Sequence, residues 1–233
     1  MVVLTLLAAL LPAALLMAYF IKKDRFPEPT HLLVKTFLFG LLITVPIVVL
    51  EFALSGVIIP LSASWWAPFL NAFLVAGFSE ELFKFLVLHL YCARKRDFDE
   101  PMDAVVYSVV VSLGFACLEN VLYVMQGGML AAALRAVTAV PVHASLGALM
   151  GYYYAKQRFG PLGYARLWSK ALWVPVLVHG LYDLSPMLLA SGLFEAEEHP
   201  VLVLALVVAS LFLMVWLFRR ARAITLSLRS QQL

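Results

Sequence analysis

The chain has 233 residues, of which 64% belong to the apolar set AVILMFWYC and only 13% are charged. Soluble domains average roughly 45–50% apolar and about 25% charged residues, so the composition excludes a disordered chain, a disulfide-stapled module and an ordinary soluble enzyme. The net charge of +3 is too small and too dispersed to suggest a nucleic-acid partner, and two cysteines form no disulfide framework.

Long apolar runs account for most of the sequence. Helices are expected in them, because backbone groups in lipid must be satisfied within the segment and a span needs roughly 20 apolar residues. The prediction is an all-α, polytopic membrane helix bundle in which one domain, 1–233, has about seven transmembrane helices. The first run lacks a basic segment before it, so we expect a retained span and not a signal peptide. The seven runs are about 2–21, 32–54, 66–91, 104–125, 136–155, 170–191 and 200–218.

Basic residues alternate between the loops. The loop after the second run has none, the sixth has none, and the fourth has only Arg135. The positive-inside rule therefore predicts an external N-terminus and a cytoplasmic C-terminus. The basic loops and tail carry Lys22, Lys23 and Arg25; Arg94, Lys95 and Arg96; Lys156, Arg158, Arg166 and Lys170; and Arg219, Arg220, Arg222 and Arg229.

A small set of polar residues interrupts the interior of the runs. Each ionisable group at the bilayer centre costs roughly 2.5–3.5 kcal/mol on insertion scales, so such groups must face one another, water or a metal. At about 1.5 Å per residue, five of these groups lie roughly 14–23 Å from the predicted cytoplasmic ends of their runs, near the middle of a core about 30 Å thick: Glu80, Glu81, Glu119, His143 and His179. We therefore expect the polar set to converge. Its members are Glu80, Glu81, Lys84, Glu119, Asn120, His143, His179 and Asp183.

Spacing within each helix adds detail. Glu80 and Lys84 are at i,i+4 in the favourable order, and so share a face. His179 and Asp183 have the same spacing, which lets the carboxylate orient the imidazole or contact a metal. Each pair also has a purely structural interpretation, as an ion pair or hydrogen bond that closes the bundle. Asn120 is interpreted as an interhelical hydrogen-bonding residue.

Two further residues share the fifth run. Gly147 and Gly151 form a GxxxG pattern that predicts close helix packing.

The central charges do not balance. Four carboxylates against one ammonium group leave −3, which protons or a divalent cation must offset. Two histidines together with carboxylates match the ligands of Zn²⁺, which in catalytic sites takes three protein ligands and keeps one position open. A free carboxylate beside the open position then serves as general base toward water.

The ordered motifs resemble a known family. They are D-R-F-P-E-P (24–29), F-S-E-E-L-F-K-F (78–85), E-P-M-D-A-V-V-Y (100–107), L-G-F-A-C-L-E-N (113–120), P-V-H-A-S-L-G-A-L-M-G-Y-Y (141–153) and H-G-L-Y-D (179–183). Together these segments resemble the PrsW family of intramembrane proteases, itself similar to the CAAX prenyl endopeptidases, over about residues 20–190. Ala104 and Ser108 stand where glycines are expected, whereas the ionisable positions all match.

The resemblance implies an endopeptidase of a bacterial or archaeal cell membrane that cuts a membrane-anchored protein, in some relatives an anti-sigma factor. It makes Glu80 the water activator, supported by Glu81 and Lys84. It makes Glu119, His143 and His179 the ligands of Zn²⁺, with Asp183 orienting His179 or stabilising the oxyanion. The prenyl endopeptidases have histidine where Glu119 stands, and a metal-free route with the histidines as an oxyanion hole uses the same residues.

Two other function classes stay open at this stage. One is a non-catalytic membrane scaffold, since a γ-secretase subunit similar to this superfamily has structural histidines; the retained Glu80, Glu81 and Lys84 argue against it. The other is a cation transporter, since acidic residues at the midplane also mark ion pathways. The absence of a clear internal repeat argues against transport. The sequence does not indicate the oligomeric state.

Overall fold

A computed structural model describes residues 2–58, 65–160, 168–193 and 197–232. A helix covers each predicted apolar run and no strand occurs in these ranges, which confirms the all-α prediction. The elements are α1 (Val2–Ile21), α2 (Thr30–Ile58), α3 (Ala67–Leu70), a π-helical stretch (Asn71–Phe78), α4 (Ser79–Leu90), a 3₁₀ turn (Cys92–Arg94), α5 (Pro101–Val137), α6 (Ala139–Phe159), α7 (Trp168–Ala190) and α8 (Pro200–Arg229).

Four stretches of the described residues are long and apolar enough to cross a membrane: Thr30–Gly56, Pro101–Phe159, Ser169–Ala190 and Pro200–Arg229. The third predicted run is divided among α3, the π-helical stretch and α4. The count of seven spans and the orientation of the termini stay predictions. Arg166, on which the orientation prediction partly depends, lies outside the described residues.

The antiparallel pair α5–α6 forms the centre of the bundle. In the 18-residue apolar segment that represents this stretch, 78% of the segment is buried inside the protein, whereas the corresponding share in α8 is 6%. The pair packs closely, because a Cβ on Gly147 would lie 2.7 Å from the carbonyl oxygen of Ser108, and one on Gly151 would lie 2.3 Å from that of Ala104. These contacts confirm that the GxxxG pattern is a helix-packing surface.

Two local features define the ends of α5. At its start, Pro101 occupies the first turn, where a missing N–H costs nothing, and Asp103 Oδ2 accepts the N–H groups of Asp99 (2.8 Å) and Glu100 (2.7 Å). Beyond the predicted end at 125 the chain stays helical and then reverses at Gly128, whose φ of 63° and ψ of −151° suit only glycine. The predicted fourth loop is therefore largely helical.

A second group of carboxylates lies where the first and third loops meet the C-terminal tail; we name it the loop cluster (Asp24, Glu28, Glu100 and Asp103). The side-chain amide of Gln232 donates to Asp24 Oδ1 (2.7 Å) and to Glu100 Oε1. The backbone N–H of Arg25 donates to Gln232 Oε1 (3.1 Å), and its guanidinium donates to the carbonyl oxygen of Gln232 (2.6 Å). The tail thereby fastens both loops to each other.

The remaining members of the loop cluster are held from α5. Tyr107 donates its hydroxyl hydrogen to Glu28 Oε2. Burial raises the pKa of Glu28 above its ordinary value and raises that of Glu100 to about 7. Neutral hydrogen-bond donors thus hold the carboxyl groups of this cluster, and burial makes Glu28 and Glu100 bind a proton more tightly than exposed carboxyl groups do.

Candidate active site

The π-helical stretch brings α4 against α7. A Cβ on Gly180 would lie 2.3 Å from the ring of Phe73, and one on Gly77 would lie 3.0 Å from the carbonyl oxygen of Val176. This close approach places Glu80 and Glu81, in the first turn of α4, beside α7. Short π-helical segments are rare and frequent at functional sites, where they re-aim side chains.

Lys84 is fully buried (0% exposed) and lies between both glutamates. Its ammonium group donates to Glu81 Oε1 (2.8 Å) and Glu80 Oε2 (3.0 Å), and lies 3.3 Å from His143 Nδ1. All three ammonium hydrogens therefore have an acceptor. The predicted i,i+4 pair of Glu80 and Lys84 is confirmed, and Glu81 joins it as a second partner of the same cation.

His143 has different partners at its two ring nitrogens. Nε2 lies 2.9 Å from Glu119 Oε2, whereas Nδ1 faces Lys84 and lies 3.8 Å from Glu80 Oε2. An ionised carboxylate only accepts hydrogen bonds and an ammonium group only donates them, so the partners assign the hydrogen to Nε2 and the lone pair to Nδ1. The lone pair of His143 is thus directed at the centre of the cluster.

His179 is held between carboxylates. Nδ1 lies 2.9 Å from Glu81 Oε1, and Nε2 lies 3.2 Å from Asp183 Oδ2 and 3.9 Å from Glu80 Oε2. The predicted pairing of His179 with Asp183 is confirmed. The rings of His143 and His179 are 5.5 Å apart and nearly perpendicular, at 80°. Glu80 therefore lies near one nitrogen of each ring.

A divalent metal suits part of this arrangement. Glu80, His143 and His179 each offer one ligand atom, and these atoms all lie within 4.8 Å of one another. Two imidazoles and one carboxylate are the donors of a catalytic zinc site, so the residues present fit Zn²⁺. Glu119, predicted as a ligand, instead faces the outer nitrogen of His143. The structure groups Glu80 with the two histidines, and the individual ligand roles stay predictions.

Arg135 belongs to the site, although sequence reasoning placed it in a loop. Its Nη2 lies 2.7 Å from Glu119 Oε2, its Nε donates to Asn120 Oδ1 (2.6 Å), and its guanidinium lies 4.1 Å from the centre of the Tyr123 ring. Asn120 in turn donates to the carbonyl oxygen of Ala9 on α1 (2.9 Å), which is the interhelical role predicted for it. The signal in the sequence was a Gly-Gly pair followed by the one basic residue of that loop.

A cavity of about 1120 Å³ gives access to these groups and is lined by residues of α2 to α7 and of the π-helical stretch. Glu80 lines it, whereas Glu81 is completely buried. Glu51, near the end of α2, lines it too. Glu51 adds one ionisable carboxyl group to the site, and Arg135 adds one positive charge. The other ionisable groups in the lining are Glu119, Tyr123, His143, His179, Tyr182 and Asp183.

Carboxylates and imidazoles around one cavity are the groups of a general acid–base hydrolase, and the apolar helices around them belong to a membrane protein. Comparisons with known proteins agree with that class. The profile described as PrsW family intramembrane metalloprotease matches residues 28–217. The chain therefore belongs to the PrsW family.

Curated relatives named Protease PrsW cover three quarters of the chain. That of Geobacillus kaustophilus is 38% identical over 178 residues, 76% of each chain. That of Bacillus subtilis is 36% identical over 178 residues, 76% of this chain and 79% of its own. That of Clostridioides difficile is 34% identical over 184 residues, 76% of each. These bacterial relatives and the family support a protease of a bacterial membrane. No solved structure matches the chain significantly.

Proposed function

We propose that the protein is an intramembrane endopeptidase that cuts a membrane-anchored protein, and that Glu80 activates the water. The observation that supports this assignment is the place of Glu80, which lines the cavity and lies 3.8 Å and 3.9 Å from nitrogens of His143 and His179. Glu81 is closed off from the cavity and engaged by Lys84 and His179. Of the two adjacent glutamates, only Glu80 is placed to meet water and substrate.

The reaction follows from these positions. Glu80 takes a proton from water while the water oxygen attacks the scissile carbonyl carbon, and the carbonyl oxygen becomes an oxyanion. An N–H of His179, held by Glu81 and Asp183, stabilises that oxyanion. The C–N bond then breaks as Glu80 returns its proton to the leaving amine. A helical substrate must unwind locally beforehand, because its peptide groups are already hydrogen-bonded.

Zn²⁺ is the metal that this donor set fits. His143 and His179 would hold it, with Glu119 as third ligand on the sequence-based assignment and Glu80 on the observed grouping. When bound, Zn²⁺ acts as a Lewis acid toward water and the scissile carbonyl. His143 directs its Nδ1 lone pair inward, and Glu119 holds its other nitrogen. The oxyanion role of His179 belongs to the metal-free route, since one ring nitrogen cannot both bind a metal and donate a hydrogen.

Metal content tests this part of the proposal. Protein purified without chelator should carry about one Zn²⁺ per chain, and His143→Ala and His179→Ala should each lose it, because two protein ligands bind far more weakly than three. The zinc content of Glu119→Gln and of Glu80→Gln identifies the third ligand, because only the variant that lacks the third ligand should lose zinc. Chelation by 1,10-phenanthroline should stop cleavage and added Zn²⁺ restore it. Full activity in metal-free protein would instead leave His179 as the oxyanion donor, because the inward Nδ1 of His143 carries no hydrogen.

We propose seven spans, with the N-terminus outside and the C-terminus in the cytoplasm, from the alternation of basic loops. A reporter fused after Leu233 should then be cytoplasmic, and one within 192–199 external. An external C-terminus would contradict this orientation.

Activity in purified protein tests the proposed function itself. Glu80→Gln keeps the shape of the side chain but cannot accept a proton at neutral pH, so cleavage should fall by about a hundredfold or more. Glu100→Gln removes a carboxylate from the loop cluster and is the matched control, with activity expected unchanged. Cleavage that persists in Glu80→Gln would reassign the base. If neither the wild type nor any variant cleaves, ion flux in liposomes separates the two alternatives. Flux that is the same in the wild type and in Glu80→Gln would favour a scaffold. Flux that Glu80→Gln abolishes would favour a transporter.

A further inference from the structure

The reversal of α5 at Gly128 brings a cation into the active site. Arg135 follows Glu119 by sixteen residues, and in a straight helix the two would lie about 24 Å apart at 1.5 Å per residue. Because the chain turns back at Gly128, Arg135 Nη2 instead lies 2.7 Å from Glu119 Oε2. The backbone conformation of one glycine thus determines whether this contact exists.

The guanidinium group is fixed at three points on one turn of α5. It donates through Nη2 to Glu119 and through Nε to Asn120, and it stacks over the ring of Tyr123. The side chain of Arg135 is only 16% exposed. Asn120 is completely buried and bonded to α1, so the acceptor does not move freely. Two donors in a rigid fork, bound to two neighbouring acceptors, hold a carboxylate in one orientation.

The carboxylate held in this way is the one that orients His143. Glu119 Oε2 accepts from Arg135 and from His143 Nε2 at the same time. While that oxygen stays in place, the imidazole keeps its hydrogen on Nε2 and its Nδ1 lone pair toward Lys84 and the centre. We propose that Arg135 is a positioning residue, which fixes the orientation and tautomer of His143 through Glu119. The kinetic consequences of this inference rest on the proposed function, whereas its effect on the His143 tautomer does not.

Kinetics of a double-mutant cycle test the inference. The probe is a fluorogenic single-span peptide containing a cleavage site mapped in cells, reconstituted in nanodiscs. Arg135→Gln should lower kcat by about 10–100-fold, the range for outer-shell partners of site histidines, and leave KM within about twofold. Arg135→Lys should recover part of the loss, because it keeps the charge but not the fork. In a Glu119→Gln background, Arg135→Gln should have no further effect on kcat.

Three kinetic outcomes would overturn the inference. A rise in KM with kcat unchanged would make Arg135 a substrate contact, additive losses with Glu119→Gln would show that it acts independently, and unchanged kinetics would show that it does not act at all. Failure of the proposed function has a different signature, because Glu80→Gln would then retain cleavage whatever Arg135 does.

A spectroscopic readout needs no substrate. In protein with ¹⁵N-labelled histidine, His143 should show one tautomer with hydrogen on Nε2, and Arg135→Gln should show a mixture; His143→Gln assigns the signal. Gly128→Ala should reproduce the mixture, because the strained backbone releases Arg135. Gly192→Ala carries the same kind of strain at a φ of 70° elsewhere, and should keep the single tautomer. A single tautomer in folded Arg135→Gln protein would contradict the inference.

Discussion

Among the described residues, two groups of four carboxylates, each with buried and partly exposed members, behave differently. The central cluster contains Glu80, Glu81, Glu119 and Asp183, and the loop cluster contains Asp24, Glu28, Glu100 and Asp103. Each contributes one or more carboxylates to a set of three residues whose potential metal-ligand atoms all lie within 4.8 Å of one another. The number and proximity of acidic groups therefore do not distinguish a reactive site from a structural one.

The partners of the carboxylates make the distinction. In the central cluster they are two imidazoles, an ammonium and a guanidinium, and a cavity reaches Glu80. In the loop cluster the partners found are backbone N–H groups, a phenol hydroxyl and the amide of Gln232. Imidazoles exchange protons near neutral pH and bind metals, whereas amides do neither. The first cluster is equipped for chemistry and the second for joining chain segments.

Loss of the buried ammonium should give the largest difference between the two clusters. Lys84→Met leaves Glu80 and Glu81 buried without their cation, which should cost about 3–5 kcal/mol in free energy of unfolding and abolish cleavage. Arg25→Met removes an exposed side chain that binds Gln232 beside the loop cluster, and should cost about 1 kcal/mol or less. Reversible unfolding in mixed micelles measures both. Equal costs would show that the ammonium is not the cation on which the central cluster depends.

A smaller effect should separate the adjacent glutamates. Glu81→Gln keeps an amide oxygen that accepts hydrogen bonds but removes the negative charge that binds Lys84 and His179, so kcat should fall about tenfold. The measurement is cleavage of the same nanodisc-bound peptide, with Glu100→Gln as control. A larger loss in Glu81→Gln than in Glu80→Gln would exchange their roles.

Local periodicity predicted the helices and the pairs within one helix. Apolar runs located the α-helices of the described residues, and i,i+4 spacing found Glu80 with Lys84 and His179 with Asp183. Counting residues from the predicted span ends indicated that the other polar residues converge at one depth, because the rise per residue of a helix is constant. Such reasoning could not place Arg135, since its position depends on the dihedral angles of one glycine.

The loop cluster was missed for a related reason. Gln232 meets Asp24 across 208 residues, and a polar residue in a tail carries no periodic signal. Likewise, the grouping of Glu80 with both histidines depends on how α4 packs against α6 and α7, which spacing within one helix does not determine.

The smallest expected effect concerns pH and the loop cluster. Burial raises the folded-state pKa of Glu100 to about 7, above the ordinary 4.5, so the folded protein binds this proton more tightly than the unfolded chain. Its contribution to stability is full below about pH 4.5 and is lost as the pH rises through about 7. Between pH 5 and pH 8, Tm should fall on the order of 1–2 °C more in the wild type than in Glu100→Gln, because solvent screens this partly exposed group.

Differential scanning fluorimetry in detergent measures this difference, and Glu198→Gln, at an exposed loop position, is the control. An identical pH dependence in the wild type and Glu100→Gln would show that the proton on Glu100 is not linked to folding.

Comparative peptidomics tests most directly whether the central cluster carries out the chemistry. The samples are membrane fractions of cells that produce the wild type, Glu80→Gln or Glu100→Gln at matched levels. We expect a set of new peptide termini within or beside transmembrane segments in cells with the wild type or Glu100→Gln, and their absence in cells with Glu80→Gln. The same termini in cells with Glu80→Gln would contradict this assignment.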